Sequence, residues 1–175
     1  LLYTSGSTGS PKAAQLTESA MRTYWRKAVS DFRGNPATTP PVPRANIGLA
    51  FMPMNHVRGQ LNVLEALAQG GLLNFTLRRD LSTLFEDIRL ARPTVIILVP
   101  RVAQSLHTHY ERELAARSLN GDPAAARAEL DLHMREHFLG DRLWLMRIGS
   151  APASEEMLSF LRRTFDVPVH TGYGS

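Results

Sequence analysis

The stretch Tyr3-Thr4-Ser5-Gly6-Ser7-Thr8-Gly9-Ser10-Pro11-Lys12 gathers residue types that hold phosphate. Five hydroxyls, on Thr4, Ser5, Ser7, Thr8 and Ser10, can surround exposed backbone N–H groups, and Lys12 adds a mobile positive charge at the end of the run. Gly6 and Gly9 permit backbone conformations closed to other residues, and Pro11 keeps the turn from relaxing into a helix. The chemistry implied is the binding of a polyphosphate. The run lacks the Gly-Lys-Ser/Thr ending of a Walker A loop, which disfavours an ordinary P-loop nucleotide hydrolase. A flexible Ser/Gly linker has the same composition, so on composition alone both readings stand.

A second group of residues points to different chemistry. His133-Met-Arg-Glu136-His137 spells the inverted zinc-protease signature, and on a helix it puts both histidines on one face. A zinc hydrolase through His133, Glu136 and His137 is therefore a remote alternative. It needs a further ligand, for which Glu155 and Glu156 are the candidates downstream. Against it, Arg127, Glu129, Asp131 and Arg135 surround the motif as they would on a solvated helix, and five-residue motifs often match by chance. No residue is assigned to a metal. His107 and His109 are two apart and cannot share a helix face, which predicts surface positions for both.

Composition narrows the classes further. The chain has 175 residues, 43% hydrophobic and 21% charged, as in a globular domain with one sizeable core. With no cysteine, this segment has no disulfide, no Cys-ligated metal and no Cys nucleophile. A net charge of +4 could suggest nucleic acid, but the basic residues are scattered among acids, with only Arg78-Arg79 and Arg162-Arg163 as tight pairs; these are expected to be solvated. No apolar run approaches the length of a membrane span and no signal peptide opens the chain, so the expected compartment is cytoplasmic.

The elements that must position these residues can be read from periodicity. Leu16 to Phe32 is predicted helical with Thr17 as its cap, and residues 34–44 form a turn-rich surface loop. Ile47 to Met54 reads as a buried strand ended by Pro53 and followed by Asn55-His56. A helix from Gly59 to Ala68 carries Leu61, Leu64, Leu67 and Ala68 on one face and stops at Gly70-Gly71. Leu72 to Leu77 is a strand. Ser82 to Ala91 is an amphipathic helix with Leu84, Phe85 and Ile88 inward, terminated by Pro93, and Thr94 to Val99 is an apolar strand buried on both faces. Helices follow over Arg101 to Arg117 and Pro123 to Phe138, both with dominant polar faces. Arg142 to Ile148 is a strand, Ser154 caps a helix through Phe165, and Val167 to His170 is the last strand. This alternation predicts an α/β fold with a mainly parallel sheet flanked by helices, its ligands lying outside the carboxyl ends of the strands.

The phosphate-type run resembles, over its whole length, the phosphate loop of the acyl-adenylate-forming (AMP-binding) superfamily of acyl-CoA synthetases, adenylation domains and luciferases. Ala13 stands where that superfamily usually has Gly. Four further stretches are similar in order and spacing: Phe51-Met-Pro-Met-Asn-His56, Val99-Pro-Arg-Val102, Gly149-Ser-Ala-Pro152 and Gly172-Tyr-Gly-Ser175. The resemblance implies that residues 1–175 are a central fragment of the large N-terminal domain of an adenylate-forming enzyme. It implies that Thr4, Ser5, Gly6, Ser7, Thr8, Gly9 and Lys12 hold the ATP phosphates and that His56 lines the carboxylate pocket. Gly149, Ser150, Ala151, Pro152, Thr171, Gly172, Tyr173, Gly174 and Ser175 then border adenine and the acyl group, with the Tyr173 ring against adenine. Lys12 and His56 are the expected catalytic residues.

A more particular resemblance is to the adenylation domain of carboxylic acid reductases, carried by Phe-Met-Pro-Met-Asn-His, Leu81-Ser-Thr-Leu-Phe-Glu-Asp-Ile88 with Arg92-Pro93-Thr94, and Val-Pro-Arg-Val. It implies ATP and Mg²⁺ as cofactors here, and phosphopantetheine and NADPH in parts of the parent outside the segment. The partners implied are a carboxylic acid and either a carrier domain in cis or CoA; an acyl-CoA ligase is the alternative activity. The lysine-bearing C-terminal subdomain, the carrier and the reductase are expected outside residues 1–175, along with the Mg²⁺-binding Glu, so the isolated segment is expected to be inactive. Asn55 and Arg58 stand where smaller residues are expected. Arg58 either binds an acidic group of the substrate or points to solvent.

Overall fold

The computed structural model describes residues 2–4, 12–33, 45–119, 122–149 and 152–172. It forms two compact units, Leu1–Leu84 and Phe85–Ser175. Both carry parallel strands with helices between them.

In the first unit β1 (Leu2–Thr4) pairs antiparallel with β2 (Lys12–Ala14), in a register that sets Thr4 opposite Lys12. Helix α1 spans Glu18–Arg33. Its cap is the expected one: the Thr17 hydroxyl oxygen accepts the Ala20 N–H at 3.2 Å. Strand β3 (Ile47–Ala50) runs parallel to β4 (Leu72–Phe75), and α2 (Val57–Ala68) connects them. Both strands are shorter than their apolar runs suggest. Thr76 N–H to Ala50 C=O, 3.1 Å, is the last rung, and Pro53 has no N–H with which to extend the ladder. The buried face of α2 also differs from the expected leucine stripe. It consists of Gly59, Asn62 and Ala66, while Leu67 is 65% exposed, because small residues let neighbouring backbone approach closely. Helix α3 (Leu84–Ala91), which lies in the second unit from Phe85 onward, begins two residues later than expected. The Asp80 carboxylate holds the Ser82 N–H at 3.0 Å and its hydroxyl at 2.7 Å, so Ser82 belongs to the turn before the helix.

The second unit is built on a parallel sheet of β5 (Val95–Leu98), β6 (Leu145–Gly149) and β7 (Val169–Gly172), in the order β5-β6-β7. On β5, Ile96 and Leu98 are buried while Val95 and Ile97 are only half-buried, so one face is less covered than the apolar run implies. Strand β7 starts two residues later than expected. Pro168 cannot donate there, and it enters the sheet only as acceptor to the Met146 N–H at 3.0 Å. Helix α4 (Pro100–Ser118) opens with Pro at its first position and buries Val102, Ala103, Leu106, Tyr110 and Leu114, an apolar stripe beneath the polar face the sequence emphasises. Helix α6 (Glu155–Phe165) is capped by Ser154, whose hydroxyl oxygen accepts the Met157 N–H at 3.2 Å.

The expected single helix Pro123–Phe138 divides. Helix α5 spans Pro123–His133, and Met134–Phe138 form a π-helical turn closed by the Leu139 N–H on the Met134 carbonyl at 3.0 Å. The wider turn keeps both Met134 and Phe138 buried. Histidines 107 and 109, expected at the surface, pack against rings instead: His107 lies 4.5 Å from Phe160, and His109 5.4 Å from both Phe85 and Phe138. Of the expected solvated basic pairs, Arg162 meets Glu155 at 3.0 Å and Arg163 lies over the Tyr110 ring at 5.8 Å.

Candidate active site

The β1–β2 hairpin bears on the phosphate-type run. Residues 5–11 lie outside the described residues, so Ser5, Gly6, Ser7, Thr8 and Gly9 have no described geometry. The backbone of Thr4 and Lys12, the two ends of that run, forms a cross-strand pair. The run is thus tethered at both ends to one short ladder, with its charged residue directly across from its first hydroxyl-bearing one.

His56 stands in the turn that leaves β3 and is the N-cap of α2, which begins at Val57 rather than Gly59 because of it. Three hydrogen bonds hold the turn: His56 N–H to the Pro53 carbonyl at 3.0 Å, Gln60 Nε2 to the Met54 carbonyl at 3.0 Å, and Arg58 N–H to His56 Nδ1 at 3.2 Å. Because Nδ1 accepts, the neutral ring carries its proton on Nε2, and that N–H is left as the donor on the exposed edge of the side chain. Gly59 makes the tight turn possible. A Cβ there would fall on the Pro53 carbonyl oxygen and 2.9 Å from its carbon. Asn55 is exposed, and the first turn of α2 has no acidic residue.

Arg58 is paired along its own helix and does not extend into solvent. Its Nη1 lies 3.3 Å from Glu65 Oε1, and the same carboxylate oxygen accepts the Tyr24 hydroxyl of α1 at 2.7 Å. Glu65 and Tyr24 escaped the sequence reading. Their one legible signal was the seven-residue interval between Arg58 and Glu65, which places both on one helix face.

In the second unit Gly149 and Gly172 are register partners at the carboxyl ends of β6 and β7. They are packed so closely that a Cβ on Gly149 would lie 2.9 Å from the Gly172 carbonyl oxygen. Gly149 and Gly172 therefore lie side by side at the carboxyl end of the sheet. Pro152 and Thr171 are exposed; Ser150, Ala151, Tyr173, Gly174 and Ser175 lie outside the described residues.

The zinc signature assembles only partly. The His133 and His137 rings are 5.4 Å apart, and desolvation, then the nearby Arg117, hold His133 below the ordinary histidine range. Of the further ligands considered, Glu155 is bound to Arg162. Among the described residues no group of three His, Cys, Asp or Glu side chains could hold a metal ion.

Residues 1–175 match the AMP-binding enzyme family along their whole length. The chain belongs to the AMP-binding enzyme family. Within that family it is 41% identical over 177 residues to the carboxylic acid reductase of Mycobacterium tuberculosis, covering 100% of this chain and 15% of that protein. Its fold matches the adenylation domain of the carboxylate reductase of Mycobacterium chelonae with a TM-score of 0.84 and 37% identity, over 99% of this chain and 26% of that one. A second match is the adenylation domain of the Segniliparus rugosus carboxylic acid reductase, solved with AMP and a co-purified carboxylic acid. There the TM-score is 0.80 and the identity 34%, over 96% of this chain and 26% of that one. This AMP-binding chain thus spans about a quarter of the solved adenylation domains it resembles. Among its described residues, no helix is long and apolar enough to cross a membrane.

Proposed function

We propose that this chain is the nucleotide- and acid-binding part of an enzyme that activates a carboxylic acid with ATP, giving an acyl-adenylate and pyrophosphate. In the full-length protein the acyl group then passes to a phosphopantetheine thiol of a carrier domain and is reduced by NADPH to an aldehyde. The observation that carries this reading is the position of the motifs at strand ends. The His56 turn follows β3, the Gly149–Pro152 motif begins at the last residue of β6, and the Thr171–Ser175 motif begins at the last two residues of β7, all at carboxyl ends of parallel strands, where α/β folds bind ligands.

The reaction joins two anions. A carboxylate oxygen attacks the α-phosphorus of ATP, a P–O bond forms, and the bond to the departing pyrophosphate breaks. Catalysis is then mainly positioning and charge neutralisation. In this reading residues 4–12 hold the β- and γ-phosphates, with Lys12 offsetting their charge. His56 donates Nε2–H to one oxygen of the acid and leaves the other free to attack. The paired ends at Gly149 and Gly172 carry the segments that border adenine and the acyl group. No side chain of the segment becomes covalently modified. Mg²⁺, when bound, neutralises phosphate oxygens. The described residues offer it no ligand cluster.

Product analysis tests the reading. Full-length, pantetheine-loaded protein is given ATP, Mg²⁺, a panel of acids, CoA and NADPH. Aldehyde formed with NADPH consumption is expected. Acyl-CoA with NADPH untouched would retain the adenylation step and reject the reductase assignment, and no acid-dependent pyrophosphate release would overturn the reading altogether.

A further inference from the structure

Arg58 is the second residue of α2, directly after the turn that carries His56. Side chains of a helix lean towards its N-terminus, so an unrestrained Arg58 would lie over the first turn, beside the imidazole. A cation there is opposed by the positive end of the helix dipole, and no acidic residue in that turn offsets it. The guanidinium is found elsewhere. It is drawn two turns along α2 to Glu65, with Nη1 at 3.3 Å from Oε1. That oxygen is itself fixed by the Tyr24 hydroxyl at 2.7 Å. The Glu65 side chain keeps only 13% of its exposure and that of Arg58 31%, so solvent screens the pair less than it would a fully exposed one.

We propose that Glu65 is a specificity-determining residue. By holding Arg58 off the His56 turn it keeps a cation out of the acid site, and so directs the enzyme to carboxylic acids that carry no second anionic group. Glu65 does not touch the acid. It acts through Arg58 and is a positioning residue, and this role rests on the reading of His56 as the group that orients the acid.

The test compares hexanoate with adipate, acids of equal length that differ by one carboxylate, in acid-dependent ATP–pyrophosphate exchange by the full-length protein. With Glu65→Gln the freed guanidinium meets the far carboxylate. The KM for adipate is expected to fall about tenfold, while kcat and the KM for hexanoate change less than about twofold. The double variant Arg58→Met/Glu65→Gln returns the adipate KM to its original value. Arg58→Met alone leaves it unchanged, because the cation is already withdrawn; this arm stands even where Glu65→Gln folds poorly. A raised adipate KM in Arg58→Met would show that Arg58 already reaches the acid and would overturn the proposal. So would an unchanged adipate KM in folded Glu65→Gln, or a gain that survives the loss of Arg58. No acid-dependent exchange in the unsubstituted protein would overturn the functional reading itself, and the role of Glu65 with it.

Discussion

The imidazole of His56 uses one nitrogen for the fold and leaves the other for chemistry. Nδ1 caps α2 through the Arg58 N–H, and the exposed edge carries Nε2–H. The two uses can be separated by substitution. In His56→Asn the side-chain oxygen still accepts at the N-cap, so stability should change by less than about 1 kcal/mol, while adenylate formation should slow by about 10²-fold with the loss of the outward donor. In His56→Ala the cap is lost as well, at a cost of about 1 kcal/mol. Thermal melts and single-turnover rates distinguish the cases, and an Asn variant of full activity would remove His56 from the chemistry. Tyr110 supplies a prediction about pH. It is fully buried, with its hydroxyl donating to Asp131 at 2.7 Å, and burial followed by that carboxylate pushes the phenol up to about 12. Because the folded value lies above the ordinary 10.0, the contribution to stability is complete below pH 10.0 and is lost as the pH rises through about 12. Difference titration of tyrosinate absorbance against Tyr110→Phe should show the missing step near pH 12; a missing step near 10.0 would contradict the buried pair. At this scale the types of the site residues were legible, since hydroxyls, glycines and a terminal lysine suit a polyphosphate by their chemistry. The tie between Tyr24 and Glu65 was not, because it depends on α1 lying against α2, a tertiary contact across 41 residues.

Among the elements, the turn before α2 depends on Gly59 as much as on His56. A Cβ at Gly59 meets the Pro53 carbonyl, and since backbone cannot swing aside as a long side chain can, Gly59→Ala should displace residues 53–56. The expected result is a loss of about 1–3 kcal/mol in stability, together with a higher KM for the acid and an unchanged KM for ATP. Equal losses for both substrates in kinetic assays would contradict a local displacement. Element type was legible wherever an apolar run is bounded by proline or glycine, as at Val95–Leu98 between Pro93 and Pro100. Boundaries were less so. Proline at 53 and 168 shortens strands by withholding a donor, and His56 lengthens a helix by capping it two residues early. The β2 strand Lys12-Ala13-Ala14 was invisible because its residues have little intrinsic preference for a sheet, and its pairing with β1 decides the matter. Nor does periodicity signal the π-helical turn at Met134–Phe138, since it inserts one residue into an otherwise helical pattern.

Over the whole molecule, the parallel α/β plan was legible from the alternation of short apolar runs with amphipathic segments, and membership of the AMP-binding enzymes from five motifs in order. What alternation could not supply was how strand ends pair. The register that puts Gly149 beside Gly172 arises from hydrogen bonding between segments more than twenty residues apart. In the proposed reaction a carboxylate attacks ATP while residues 4–12 hold the departing phosphates. The most direct measurement is ATP–pyrophosphate exchange by the full-length protein, with and without acid, for the unsubstituted chain and for Lys12→Ala. Exchange should require the acid and fall about 10²–10³-fold in the variant, with a melting temperature little changed. Exchange that proceeds equally without acid, or that is as fast in Lys12→Ala as in the unsubstituted protein, would contradict that reaction.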